Sequence, residues 1–546
     1  MRAIKPVVVE TVARTARIVR RISGLRRYPK IVPGLPEPSR PISFIVVRFS
    51  DEYLHNIVLS ECVQDPLNEL VVVDNTAGLN FDTLALAVSS GIERTKHDLI
   101  AVVHEDVLFP SNWHSQFEAS LASLESIDPQ WALLGAVGWR SDGALCGQWS
   151  DPHRYENTFG DTPYEAVERL DEQLMILHRE RLVDVDLLMP SIHHLGRDLP
   201  RIARQKSQLT YVVQAPTIHK FADAEGRRIR RSTDSSKLSD RDSLSYLAER
   251  ACADEYIVRK WPEIGETDAD FGKTWVRTGL DLDATWNVGD LDSPVILLAR
   301  GGSGSRLLAA MASDVGVFLG NDQNRSGDAL EMVPAVYQAI VEQHRCPAPW
   351  QQAQVASRLR SGAARMLEHR GRTDELWGFK VPESLILVED LLLAFPGARF
   401  VHMVRDPLAT CLRRTHKTAR LDNSTGRISM ALAYDHCGID RREILDDSPA
   451  MHMAYTTTHQ LDLVENALGG LPESSVFEFR FEDLVESPQL CADRLTSWLG
   501  IERRDTDLAD QIDLSRLQNP SVVYSDDVAR RVEDVLQLVR DRLGYC

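Results

Sequence analysis

The run "RGGSGSRLLAAM" starts at Arg300, directly after the apolar "SPVILLA" and directly before a helix-like stretch. A Gly/Ser-rich turn can offer several backbone N–H groups to one anion, and a following helix N-terminus adds partial positive charge. A loop built for phosphoryl transfer has the pattern GxxxxGK[ST], with lysine on the β/γ-phosphates and a hydroxyl on magnesium. This run has no lysine, and Arg306 stands where that hydroxyl residue is expected. The chemistry it suits is a phosphate that is bound and never itself transferred. Arg300, Gly301, Gly302, Ser303, Gly304, Ser305 and Arg306 are the anion-binding candidates, with Arg300 adding charge ahead of the loop.

The elements that must position such a loop can be read from the rest of the chain. Its 546 residues are 43% hydrophobic and 26% charged. That length argues for two or three domains at about 100–200 residues each. A formal net charge of −18 argues against whole-protein nucleic-acid binding. No apolar run reaches the ~18 residues of a membrane span. The eight cysteines are scattered without CxxC pairs or zinc-ligand spacing, which is read as reduced thiols in a cytoplasm. The first 30 residues carry nine Lys or Arg and one Glu. This basic arm suits either peripheral contact with the inner face of a membrane or a solvated tail.

The proline-rich "VPGLPEPSRP" (32–41) separates that arm from the first folded unit. The runs "ISFIVVRF", "NELVVVDN" and "DLIAVVHED" alternate with helical stretches, one of them "FDTLALAVSSGIERTK", and "WALLGAVGW" is expected as a further strand. That alternation predicts βαβ units and a parallel sheet. The polar segment 223–290 is expected to be a helical connector. "SPVILLA", "ARFVHMV" and "SSVFEFRF" are the strands of a second α/β unit, from 291 to the end.

Four stretches of that second unit, in order, resemble the sulfotransferases that use 3′-phosphoadenosine 5′-phosphosulfate (PAPS). "RGGSGSRLL" is similar to the family's 5′-phosphosulfate loop and "GARFVHMVRDPLATCLRR" to its 3′-phosphate element. "FRFEDLVESP" resembles its YEDLvxxP stretch, and "LWGFKVPES" the Lys-Pro stretch between the phosphate elements. The resemblance implies PAPS as cofactor. Ser303, Gly304, Ser305 and Arg306 would hold the 5′-phosphosulfate, Arg405 the 3′-phosphate, and Lys380 the leaving or transferring group. Two positions depart from the family: Gly302 replaces a Lys or Arg, and Arg413 replaces a serine, so Thr410 or Arg413 is expected to substitute. An acidic base is implied after the loop helix and next strand, where Asp322, Asp328 and Glu331 lie, with Asp322 closest to the strand end.

The segment 41–222 resembles an inverting GT-A glycosyltransferase. In that match Asp74 in "VVVDN" holds the base or ribose of a nucleotide. "HED" stands for the metal-binding DxD, so Asp106, with Glu105 beside it, would ligate Mn or Mg on a nucleotide-sugar diphosphate. Asp198 in "GRDL" falls at the general base and His219 at a further metal ligand, with His193 and His194 as weaker candidates. Each also has a plain structural alternative, since an Asp at a strand end is often a turn residue. The expected fold class is α/β in two domains: a GT-A-like nucleotide-sugar fold, then a P-loop-like sulfotransferase fold with a parallel sheet. The expected activity is sulfuryl transfer to a carbohydrate or glycolipid hydroxyl, with no nucleic-acid partner. A bifunctional glycosyltransferase/sulfotransferase, a glycosyltransferase with an inactive second domain, and a non-enzymatic glycan-binding adaptor stay open as alternatives.

Overall fold

The computed structural model describes residues 34–35, 37–150, 155–181, 184–190, 194–219, 241–264, 291–345, 351–368, 376–413, 415–502 and 524–545. The basic arm to residue 33, His193 and most of the expected connector lie outside them. Among the described residues no helix is long and apolar enough to cross a membrane. The chain divides into two compact units, Met1–Ser235 and Ser236–Cys546.

The first unit is built on strand β1 (Ile42–Arg48), whose residues Ile42 to Val46 are buried on both faces. Such a continuous β-branched run belongs at the centre of a covered sheet. β2 (Glu69–Asp74) and β3 (Leu99–Val103) flank it in parallel, with Ile45 opposite both Val71 and Val102. Helix α1 (Leu84–Glu93) is capped by the Thr83 hydroxyl and lies so close that a Cβ on Gly91 would sit 2.6 Å from Ile45 Cγ2. Helix α2 (Trp113–Glu125) covers the sheet through Trp113, which meets Phe109 at 4.4 Å between ring centroids and stacks on Phe117.

The sheet is not wholly parallel, as the sequence pattern had implied. Further strands are β4 (Val107–Leu108), β5 (Leu133–Gly135), β6 (Val137–Trp139), β7 (Leu145–Ser150), β8 (Tyr155–Asn157), β9 (Tyr164–Ala166), β10 (Arg169–Leu170), β11 (Leu174–His178), β12 (Thr210–Val213) and β13 (Thr217–His219). The main sheet runs β2-β1-β3-β11-β5-β12-β9, with β11 antiparallel to both neighbours. The second sheet runs β10-β6-β7-β13-β4, with β8 beside β7. The run "WALLGAVGW" therefore forms two strands, β5 and β6, with Ala136 between them where the chain changes sheets. In the order β2-β1-β3 the chain leaves β1 for β2 and then crosses to β3 on the far side of β1, which places a topological switch point at the carboxyl ends of β1 and β3.

The second unit holds a four-stranded sheet, all parallel, in the order β15-β14-β16-β17: β14 (Val295–Leu298), β15 (Gly378–Phe379), β16 (Arg399–Val404) and β17 (Val476–Arg480). Alternate residues of β14 enter different cores. Ile296 and Leu298 join one cluster, Val295 and Leu297 the other. Helix α3 (Leu195–Gln205) belongs to the first unit, and α4 (Arg241–Lys260) to the second. The latter, expected within a connector, is packed into the second unit's core. Its Glu249 is fully buried, pairs with Arg345 and accepts from the Ser424 hydroxyl at 2.7 Å. Its Cys252 and Ala248 are core residues.

Candidate functional site

In the second unit, β14 runs straight into the Gly/Ser turn and α5 (Ser305–Asp314). Gly302 and Gly304 both have positive φ, +97° and +100°, a conformation other residues rarely adopt. A Cβ on Gly304 would lie 2.2 Å from the Phe481 ring, and one on Gly301 would lie 1.9 Å from the His416 ring. Gly304 is thus fixed by close approach as well as by turn geometry, Gly301 by close approach alone and Gly302 by turn geometry alone. The N–H groups opening α5, those of Ser305 and Arg306, have no carbonyl one turn earlier to bond. They lie where the sequence reading expects an N–H cradle, and the Arg306 side chain beside them is exposed.

Two loop residues do other work than expected. The Ser303 N–H and hydroxyl both donate to the Arg300 carbonyl, at 3.0 and 2.7 Å. Ser303 shapes the turn rather than presenting donors to a ligand. Arg300 points away, into helix α7 (Pro449–Leu468): its guanidinium donates to Thr456 Oγ1 at 2.6 Å, to Gln460 Oε1 and to the Met453 carbonyl. Burial pushes its pKa down to about 10. It braces the loop from behind and is no phosphate ligand.

Lys380, one residue past β15, is fully buried. Its Nζ lies 2.7 Å from Asp328 Oδ1, which is fully buried too, and donates to the Ser326 carbonyl at 2.5 Å and to Ser305 Oγ at 3.3 Å. An ammonium is thereby held against the first hydroxyl of α5. Asp322 lies on the same 320–331 loop, exposed, with no hydrogen bond to its carboxylate from a described residue. Glu331 holds that loop: its Oε1 accepts from the Asn321 and Asp322 amides, both at 2.9 Å. Asp328, the other carboxylate, is committed to Lys380.

At the end of β16, Arg405 is only 9% exposed and its guanidinium stacks 4.5 Å over Phe481. Its Nη1 is buried without a hydrogen-bond partner. Burial, then the like charge of Arg413, lowers its pKa below the ordinary arginine value. Asp406 caps the short helix α6 (Pro407–Cys411) through the Leu408 amide. Thr410 turns its hydroxyl onto the Asp406 carbonyl and its methyl toward Gly302. Leu298 of β14 pairs with His402 of β16, so loop and arginine share the carboxyl-end edge of the sheet, and Phe481 touches both. Arg413 is half-buried three residues beyond Thr410.

His416 was not foreseen. The Thr418 amide donates to its Nδ1 at 3.3 Å, which requires a lone pair there and leaves Nε2 as the protonated nitrogen. That Nε2 edge is the one against Gly301. A histidine eleven residues beyond the Arg-Asp-Pro turn carries no sequence signal of such a contact.

The residues singled out in the first unit are only partly brought together. Asp74 ends β2, pairs with Arg48 at 2.9 Å and accepts from the Thr76 hydroxyl and amide. Burial raises its pKa, but Thr76 and Arg48 outweigh this and hold it below the usual carboxylate range. Asp106 and His219 do meet, with Nε2 to Oδ1 at 3.2 Å. Glu105 does not join them. Its Oε2 accepts from the Phe49 and Ser50 amides at 2.9 and 3.1 Å, and burial raises its pKa despite those bonds. In its place stands His104, unmarked in the sequence reading. Asp198 lies in the first turn of α3 as expected but is fully enclosed, which is not the setting of a base that meets an acceptor hydroxyl. His194, its N-cap, is also buried.

Residues 303–505 match the family model described as "Sulfotransferase family". That stretch, from the loop past the Arg-Asp-Pro turn and Phe481, is a sulfotransferase-family domain within the second unit. No curated protein matches the chain in sequence. Among solved structures, a sulfotransferase domain from the curacin biosynthetic pathway is 15% identical, with 45% of this chain and 97% of that chain covered and a TM-score of 0.27. Sulfotransferase STF1 from Mycobacterium tuberculosis is 13% identical, with 54% and 92% covered and a TM-score of 0.30. Mouse sulfotransferase SULT7A1, complexed with PAP, is 11% identical, with 46% and 89% covered and a TM-score of 0.24.

Proposed function

We propose that the second unit transfers a sulfuryl group from PAPS to a hydroxyl of a carbohydrate or glycolipid acceptor. The observation that carries this is Arg405: a nearly buried guanidinium with an unpartnered Nη1, on the same sheet edge as an N–H cradle that lacks kinase residues. A 3′-phosphate supplies what that guanidinium lacks, and the cradle takes the 5′-phosphosulfate. In the reaction the acceptor oxygen forms a bond to sulfur while the bond from sulfur to the 5′-phosphate oxygen breaks. The hydroxyl proton passes to a carboxylate, for which exposed Asp322 is the choice. The departing charge stays on adenosine 3′,5′-bisphosphate. Lys380, the α5 amides, Ser305 and Arg306 stabilise that charge.

The carbohydrate acceptor rests on the first unit. The switch point at the carboxyl ends of β1 and β3, with the Arg48–Asp74 ion pair at the ends of β1 and β2, supports a nucleotide-sugar or glycan ligand there. The same switch point favours, as a second reading, a bifunctional enzyme that adds a sugar and then sulfates it. Release of sugar from UDP- or GDP-sugars tests that second reading. The primary test is calorimetric titration of the full chain with adenosine 3′,5′-bisphosphate, with ADP as control. Tight bisphosphate binding with weak ADP binding is expected. Equal or absent binding of the two would refute PAPS use.

A further inference from the structure

The resemblance in the first unit implies Mn or Mg held by Asp106, with Glu105 beside it and His219 as a further ligand. The donor set that the fold assembles does not fit that ion. The turn after β3 closes through the Val107 amide on the His104 carbonyl at 3.2 Å. It sends the Glu105 carboxylate to the loop after β1, where two amides hold it. Asp106 faces the other sheet, where β13 pairs with β4 and sets His219 opposite Val107. His219 Nε2 stands 3.2 Å from Asp106 Oδ1 and His104 Nδ1 stands 4.0 Å from it. The three ligand atoms all lie within 4.8 Å of one another. His219 Nε2 is buried and, despite that short contact, forms no aligned hydrogen bond.

We infer that the first unit binds one divalent ion of zinc type, or a first-row neighbour such as cobalt or nickel, through His104, Asp106 and His219, and rejects magnesium. A tetrahedral zinc about 2.0–2.1 Å from each donor separates the donors by about 3.4 Å. The 3.2 Å contact meets that spacing, and the 4.0 Å one, with the His104–His219 pair that lies within 4.8 Å, closes to it by rotation of the half-buried His104 ring. Magnesium prefers six oxygens in an octahedron and keeps several waters, so two imidazoles suit it poorly. Imidazole binds zinc, copper, nickel and iron well. Three protein ligands leave a position for a water or a substrate oxygen, the pattern of a reactive site rather than a structural one. All three ligands belong to the first unit, so this inference stands apart from the PAPS reading.

The test uses the full chain, stripped with EDTA and titrated calorimetrically with zinc chloride and with magnesium chloride. One equivalent of zinc should bind, at least about a hundredfold tighter than magnesium. Asp106→Asn and His219→Ala should each weaken zinc by roughly a hundredfold or more, since even a lost outer-shell partner costs 10–100-fold. Glu105→Gln should keep it. Should a variant fail to fold, cobalt added to the unaltered protein still decides: intense visible bands of a low-coordinate nitrogen site are expected. Magnesium binding as tight as zinc, zinc retained without His219 and Asp106, or the weak spectrum of octahedral cobalt would each overturn the assignment. So would zinc lost in Glu105→Gln but kept in His104→Ala.

Discussion

Arg405→Gln separates a binding role from a structural one, because the structure gives the two effects opposite signs. Without ligand, Nη1 is buried and unpartnered, a situation that costs about 1–3 kcal/mol. Against it stands the stacking on Phe481, about 1 kcal/mol. Removing the guanidinium should therefore leave stability unchanged or raise it by about 1 kcal/mol. With adenosine 3′,5′-bisphosphate bound, the same group makes charge-assisted bonds to the 3′-phosphate, about 1.5–3 kcal/mol each. Losing two of them weakens binding by at least ~3 kcal/mol, a hundredfold or more. At a bisphosphate concentration of about 100 times the native Kd, ligand stabilisation is about 2.7 kcal/mol, and a hundredfold weaker variant would keep only ~0.4 kcal/mol. Calorimetry gives the affinities, and thermal melts with and without ligand give the stabilities. ADP, lacking the 3′-phosphate, should bind the variant as it binds the native protein. A bisphosphate affinity within about threefold of native, or a parallel fall in stability and in ADP binding, would refute the reasoning.

Asp328→Asn should destabilise the second unit by about 3–5 kcal/mol in urea unfolding, because it strands the buried Lys380 ammonium. The double variant Asp328→Leu/Lys380→Met should regain most of that loss while abolishing turnover. Arg300→Met should lower the melting temperature, since its bonds to Thr456 and Gln460 brace the loop, yet change the bisphosphate Kd by less than about threefold if the cradle survives. Burial holds His344 and His459 at pKa values of about 4, each also lowered by a neighbouring histidine. Their folded values lie below the unfolded value of about 6.5, so the unfolded chain binds more protons as pH falls through that window. Their contribution is complete above pH ~6.5 and shrinks toward pH 4, by up to about 3 kcal/mol for each histidine. The variant His344→Gln/His459→Gln should lose less stability between pH 6.5 and 4.5 than the native protein does.

The sheets were legible where burial is continuous. β1, β3, β14 and β16 coincide with β-branched or aromatic runs, since a strand covered on both faces needs apolar residues throughout. β2 and β17, at the ends of their sheets, still carry enough Val and Phe to be read as strands although their burial alternates. The antiparallel β11 and the small strands of the second sheet escaped, because their runs are short and their partners lie far along the chain. At the candidate site, the glycines and Arg405 were legible because their chemistry is local: a tight turn and a strand-end charge. What failed was set by distant partners. Nothing near Arg300 announces that Thr456 and Gln460 will take its guanidinium. Likewise nothing in "HED" tells which of its three side chains turns toward His219. Helix α4 looked like a linker because the surrounding segment is polar, although Ser245 and Glu249 are satisfied by partners about 175 residues away.

The Phe481 ring has a consequence beyond packing. One side of it bars any Cβ on Gly304, and its face carries the guanidinium of Arg405. An aromatic plate anchored at the junction of β17 and α8 (Phe481–Glu486) thus works as a caliper, its edge against Gly304 and its face under Arg405, so that its width sets the gap between the loop and the arginine. A caliper measures a ligand's span rather than its charge. Narrowing the plate, as in Phe481→Leu, would widen the set of nucleotides that bridge the gap before it abolished binding, so nucleotide selectivity in this protein would be tuned at a residue that need never touch a phosphate.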